Sequence, residues 1–291
     1  MKHFTTVLKS WSTAVAAAGS LVACGSLPAP PTSVAVPAGE VKGTAVTHTA
    51  ASARGVMDNA ALVLPARATG TGIYAGPLRD APRTGGAPVP VVVFLHGSSG
   101  LGLKAIGEWQ RWLAGLGVAS VAPDSFALPD RITYKSPVSK AVYEQVHALR
   151  LSEVALALQA LRQQPWADTS RLVLAGTSEG AAAVARHDGT GFAGRIIYSW
   201  SCEDNYFVQA HRSVLPPGQP VLNVMSSTDV YFSPTNAWLG NPAAKGHCGD
   251  ALRDHKNASI VLIPGAPHTL LNLPPARHAT AGFLRDVLKL E

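Results

Sequence analysis

Charge is scarce in this chain. Of its 291 residues only 14% are Asp, Glu, Lys or Arg, against 47% hydrophobic, a ratio that suits a well-filled core and argues against overall disorder. The formal net charge of +6 is scattered, with no Lys/Arg run and no basic stripe interleaved with aromatics, so nucleic acid is not the implied partner. No internal repeat is evident, which sets repeat architectures aside. A closely spaced metal-ligand set is also lacking. His247-Cys248-Gly249-Asp250 is the nearest approach to one and reads equally as a loop before a helix, so neither metal nor cofactor is expected.

Long apolar runs are missing too. The longest stretch near the N-terminus, 11–23, follows Lys2 and Lys9 and is too short to span a bilayer comfortably. It reads as a secretion signal over residues 1–23. Its end, Leu21-Val22-Ala23-Cys24, resembles the lipobox of bacterial lipoproteins, which implies lipidation of Cys24 and an exported, membrane-anchored protein facing the periplasm. Residues 24–42 are rich in Pro, Ala, Val and Gly and read as a flexible tether, leaving 43–291 as the folded domain. Only three cysteines are present. With Cys24 set aside, Cys202 and Cys248 form an even pair that can either bridge, as exported proteins permit, or stay as buried thiols.

From residue 88 onward short apolar runs alternate with longer helical patterns, which predicts an α/β fold with a mostly parallel sheet covered by helices on both faces. Strands are expected at 88–95, 118–122, 172–176, 195–200, 219–225 and 259–263, and helices at 106–116, 140–163, 181–185, 250–255 and 276–290. On the second helix Val142, Val146, Leu149 and Leu156 mark the apolar side, and Arg150 and Glu153 are expected to pair on its surface. Residues 43–83 are read as the source of antiparallel edge strands. The long loops 201–218 and 226–257 should overhang the C-terminal strand ends, where ligands bind in such sheets, so Tyr206, Phe207, Tyr231, Phe232 and Trp238 either line a pocket or pack the loops down.

One pentapeptide stands out. Gly176-Thr177-Ser178-Glu179-Gly180 lies between an apolar strand and a small-residue helix, the layout of a turn that lifts a serine hydroxyl off a strand end; an ordinary capped turn is the plain alternative. A serine nucleophile needs a base held by a carboxylate. Asp229 follows the strand 219–225 in a turn and is the best acid, with Asp204 as its rival. His268, after Pro264-Gly265-Ala266-Pro267, is the best base, ahead of His211, His247 and His255. Acyl transfer also needs two oxyanion donors. The backbone amides of Glu179 and of Ser98, in the loop His96-Gly97-Ser98-Ser99-Gly100, are the candidates.

Together these segments resemble the α/β-hydrolase superfamily, and within it the dienelactone-hydrolase-like branch. The resemblance rests on Val91-Val92-Val93-Phe94-Leu95-His96-Gly97, Gly176-Thr177-Ser178-Glu179-Gly180, the turn at Asp229, and Pro264-Gly265-Ala266-Pro267-His268, and covers about residues 88 to 290. It implies a serine hydrolase acting on small-molecule or polymeric carboxylic esters, with peptides, amides and lactones as other substrates open to the same triad. Dienelactone hydrolases proper carry cysteine where this chain has Ser178, which turns the expectation from dienelactones toward serine esterases. A tethered binding protein that keeps the fold without turnover is the alternative from another class.

Overall fold

The computed structural model describes residues 35–83 and 85–290; the signal, Cys24 and the tether up to residue 34 lie outside the described residues. In chain order the elements are β1 (Glu40–Lys42), α1 (Ala50–Asp58), β2 (Ala61–Leu64), α2 (Ala66–Thr69), β3 (Tyr74–Pro77), β4 (Val89–Leu95), α3 (Lys104–Gly115), β5 (Ala119–Ala122), β6 (Thr133–Lys135), α4 (Lys140–Leu161), β7 (Ala167–Thr177), α5 (Glu179–Arg186), β8 (Gly194–Tyr198), β9 (Val221–Ser226), β10 (Ala258–Ile263) and α6 (Pro274–Leu288).

Eight strands form one sheet in the order β10-β9-β8-β7-β4-β5-β2-β3. Strands β10 to β5 run parallel, and β2 is antiparallel to both β5 and β3. The chain passes from β4 outward to β5 and later returns to the other side of β4 as β7, so the order reverses between β4 and β7. Ligand sites of open parallel sheets lie at the C-terminal ends of the strands at such a reversal.

The continuous apolar run of β4 follows from burial on both faces. Val91, Val93 and Leu95 join a cluster with Leu149 of α4 and Ala181 of α5, whereas Val92 and Phe94 join Trp109 of α3 and Leu284 of α6 on the opposite face. Trp109 packs 4.8 Å from Phe94 and meets Tyr198 edge-on, which locks α3 to the middle of the sheet.

Three expectations need correction. Arg150 and Glu153 are wholly buried rather than on the surface. They fall on the same helical stripe as Val146, Leu149, Val154, Ala157 and Leu161, the side of α4 that the core covers. Within the predicted helix 250–255, residues 250–254 form successive turns and 255 is irregular, so no helix forms. Only Leu252 is buried there, and so short a segment without an apolar stripe gains little from helix formation. The folded region also begins earlier than residue 43, because β1 pairs antiparallel with β6 in a separate two-stranded sheet.

Candidate active site

Between the last residue of β7 and the first of α5 stands Ser178 alone, and it makes the whole reversal. Its backbone sits at φ 54°, ψ −119°, a conformation that costs a non-glycine residue energy and persists only where the surroundings impose it. The flanking glycines show how they do. A Cβ on Gly176 would lie 2.7 Å from the Gly180 carbonyl, and one on Gly180 would lie 2.1 Å from the Leu95 oxygen. Start of helix and ends of two strands therefore meet backbone to backbone, and Ser178 is pushed out of the crowd.

Asp229 lies in the turn after β9 and is completely buried. Its Oδ1 accepts the amides of Tyr231 and Phe232 at 2.9 and 3.0 Å, and its Oδ2 accepts from His268 Nδ1 at 2.7 Å. The side chain thus both organises its own loop and orients the histidine. The turn carrying His268 is tied down by two serines: Ser199 Oγ donates to the His268 carbonyl and Ser226 Oγ to that of Ala266, each at 2.6 Å. A carboxylate only accepts, so Nδ1 carries the proton and Nε2 is left as a base. Ser178 and His268 line the same cavity. No hydrogen bond joins them among the described residues, a contact that in empty sites often tightens only when substrate binds.

That cavity encloses about 350 Å³ and is walled by Tyr206, Phe207, Tyr231 and Phe232 from the two late loops. Trp238 is not in its lining; it packs behind, 4.3 Å from Tyr206. Tyr134, Lys135 and Ser136 complete the wall from β6 and its following turn, a segment to which the sequence assigned no role. The loops are joined by a Cys202–Cys248 disulfide with Cα atoms 4.7 Å apart. Of the rival residues, Asp204 is exposed and accepts the His211 amide, and His247 accepts the Gly249 amide. Neither they nor His255 line the cavity. Among the described residues no group of three His, Cys, Asp or Glu side chains is placed to hold a metal ion. Cys248 is bridged, and Asp250 is paired with Lys245 and Arg253.

On the far side of Ser178, Gly97 approaches so closely that a Cβ there would touch the Ser178 Cβ at 3.3 Å. Ser98 and Ser99 line the cavity. The Glu179 amide opens α5, where no earlier helical carbonyl is available to it. The Glu179 side chain is the larger surprise, for it is fully buried: Arg131 donates to Oε1 at 2.7 Å, Tyr134 to Oε2 at 2.9 Å, and Arg150 lies 3.4 Å away. Burial, then the Glu179 charge, pushes the Tyr134 hydroxyl well above its ordinary range. Burial and the neighbouring Arg150 hold His96 well below its usual pKa, so it is neutral. The sequence signal for this cluster was limited to Arg150 and Glu153, which lie in phase with the buried residues of α4 in a charge-poor chain; nothing local pointed to Arg131 or Tyr134.

No protein-family model matches the chain, and no curated protein matches it. Solved structures do. A cold-adapted esterase from an Arctic intertidal metagenomic library, solved bound to PEG, superposes with a TM-score of 0.50 at 16% identity, over 74% of this chain and 87% of that one. The esterase Est2 of Thermogutta terrifontis gives 0.48 at 13% over 79% and 87%. Est1E of Butyrivibrio proteoclasticus gives 0.46 at 16% over 72% and 92%. Identity this low speaks to architecture alone. With a mostly parallel sheet clothed by helices and a serine turn where the strand order reverses, the chain has the α/β-hydrolase fold.

Proposed function

We propose that the protein is a serine hydrolase that cleaves carboxylic esters through an acyl-enzyme. The observation that carries this reading is the His268 Nδ1 to Asp229 Oδ2 hydrogen bond of 2.7 Å, with that histidine and the strained Ser178 lining one cavity. Ser178 Oγ attacks the ester carbonyl as His268 Nε2 takes its proton. The resulting oxyanion is held by the amides of Ser98 and Glu179. Collapse expels the alcohol, which receives the proton from His268, and water repeats the sequence on the acyl-enzyme to release the acid. The modest cavity and its aromatic walls favour a small acyl group or the end of a polyester over a folded peptide substrate.

Export and a lipid anchor on Cys24 are part of the proposal, supported by Leu21-Val22-Ala23-Cys24. Among the described residues no helix is long and apolar enough to cross a membrane. The deciding experiment is hydrolysis of short-chain p-nitrophenyl esters by the purified protein, with Ser178→Ala as control. The variant is expected to lose at least about 10⁴-fold in kcat, and a fluorophosphonate probe to label only the unmutated protein. Turnover that survives the substitution overturns the assignment, and a folded protein that neither turns over nor labels is a binding protein.

A further inference from the structure

Two peptide groups would have to face the oxyanion, and they come from different parts of the chain: the Gly97–Ser98 peptide after β4 and the Ser178–Glu179 peptide at the start of α5. The first is oriented by its neighbours. The Gly97 carbonyl is held at 2.7 Å by His96 Nδ1 and at 3.1 Å by the Gly100 amide. His96 Nε2 accepts the Ser125 amide at 3.2 Å, so the ring proton is on Nδ1 and the ring is the donor to Gly97. In a trans peptide N–H and C=O point opposite ways, which turns the Ser98 N–H away from His96.

A single guanidinium reaches both halves. Arg150, with no solvent exposure, donates Nη2 to the His96 carbonyl at 2.9 Å and Nη1 to Glu153 at 2.6 Å, and its Nε lies 3.4 Å from Glu179 Oε1. Arg131 differs. It donates to Glu179, to Ser125 Oγ and to the Ile132 carbonyl, and makes no bond to the His96–Gly97 backbone.

We infer that Arg150 is a positioning residue that sets the two oxyanion amides relative to each other, by bonding the backbone that leads into one and pairing with the side chain of the residue that supplies the other. This rests on the ester-hydrolase reading above for its catalytic consequence. The geometric link itself does not. Burying two arginines and two glutamates beneath a serine turn is costly compared with apolar packing; here the planar fork of Arg150 supplies rigidity in directions that a Leu or Met side chain does not specify.

The test uses the full chain with Arg150→Lys, which keeps the charge and loses the fork, and with Arg150→Met/Glu153→Gln, which removes a charge pair together. Short acyl esters are compared with their thionoester counterparts, whose sulfur is a poorer partner for the two amides. Arg150→Lys is expected to lower ester kcat by about 10²-fold, the size of one lost oxyanion donor, with KM nearly unchanged and thionoester turnover lowered much less. Amide hydrogen exchange should rise at 96–99 and at 178–181 together in both variants, but only at 178–181 in Arg131→Lys. Equal loss on both substrates with exchange rising throughout the domain overturns the inference, as does Arg150→Lys behaving like the unmutated protein in both measurements. Absence of Ser178-dependent turnover in the unmutated protein would sink the esterase reading alone, and the two exchange segments would then decide the role of Arg150.

Discussion

Asp229 and Glu179 are both fully buried carboxylates at one site, and their surroundings are built in opposite ways. Asp229 is satisfied by amides two and three residues ahead of it and reserves one oxygen for a histidine, a partner that can gain and lose a proton. Glu179 draws every side-chain partner from at least 29 residues away in sequence, the nearest being Arg150, and two of those partners are guanidiniums that keep their charge. The first arrangement is the one that the proposed acyl transfer requires, a carboxylate beside a histidine that takes up charge. The second sets the carboxylate among fixed donors, which is what the role proposed for Arg150 requires.

The largest expected effect that tests this contrast is on Asp229. Asp229→Asn keeps an acceptor for the loop amides but no longer stabilises a charged His268, and kcat on esters should fall by about 10⁴-fold with the folded state kept. If the loss is under tenfold, the carboxylate is only a loop organiser. Glu179→Gln should reverse the pattern. It leaves Arg131 and Arg150 facing one fewer carboxylate, so stability measured by denaturant unfolding is expected to drop by about 3 to 5 kcal/mol. The loss in kcat should stay smaller than for Asp229→Asn, because the amide of residue 179 remains.

A subtler test lies one turn away on α4. His147 is buried without a paired carboxylate, and its one hydrogen bond is to the Phe207 carbonyl, 3.0 Å from Nε2; because a carbonyl only accepts, Nε2 is the donor. Burial, aided by Arg186, lowers its pKa to about 4. The unfolded chain takes up this proton near pH 6.5 and the folded chain only near 4. The contribution is therefore complete above about pH 6.5 and is lost as pH falls toward 4, on the order of 3 kcal/mol in all. In His147→Asn this part of the acid dependence should vanish when unfolding is followed at pH 7 and pH 4.5. A variant with the same pH slope as the parent would show that other groups carry it.

Much of the fold could be read directly. Strands buried on both faces are continuous apolar runs, so β4, β5, β8 and β9 and the buried C-terminal half of β7 are legible in the sequence; β10 is legible by its apolar letters alone, being a largely exposed edge strand. Ser178, Asp229 and His268 each follow a strand and sit in turns rich in Gly, Pro or Ser, where local chemistry marks the position. What stayed hidden was non-local. Arg150 and Glu153 carry the same letters whether they face water or a core, and four apolar residues phased α4 about one residue wide of its true stripe. β6 is three residues long and gains its place only by pairing with β1, more than 90 residues earlier.

By itself, then, the sequence determined the α/β layering, the placing of Ser178, Asp229 and His268 each just past a strand, and the glycines that let α5 touch β4 and β7. These depend on periodicity and on local backbone sterics, which neighbouring residues encode. Only the tertiary structure decided that Glu179 is anchored by Arg131, Tyr134 and Arg150, that β6 walls the cavity, and that Cys202 meets Cys248. Those are contacts between distant segments, and their energies come from burial and charge pairing that arise only once the sheet has brought the segments together.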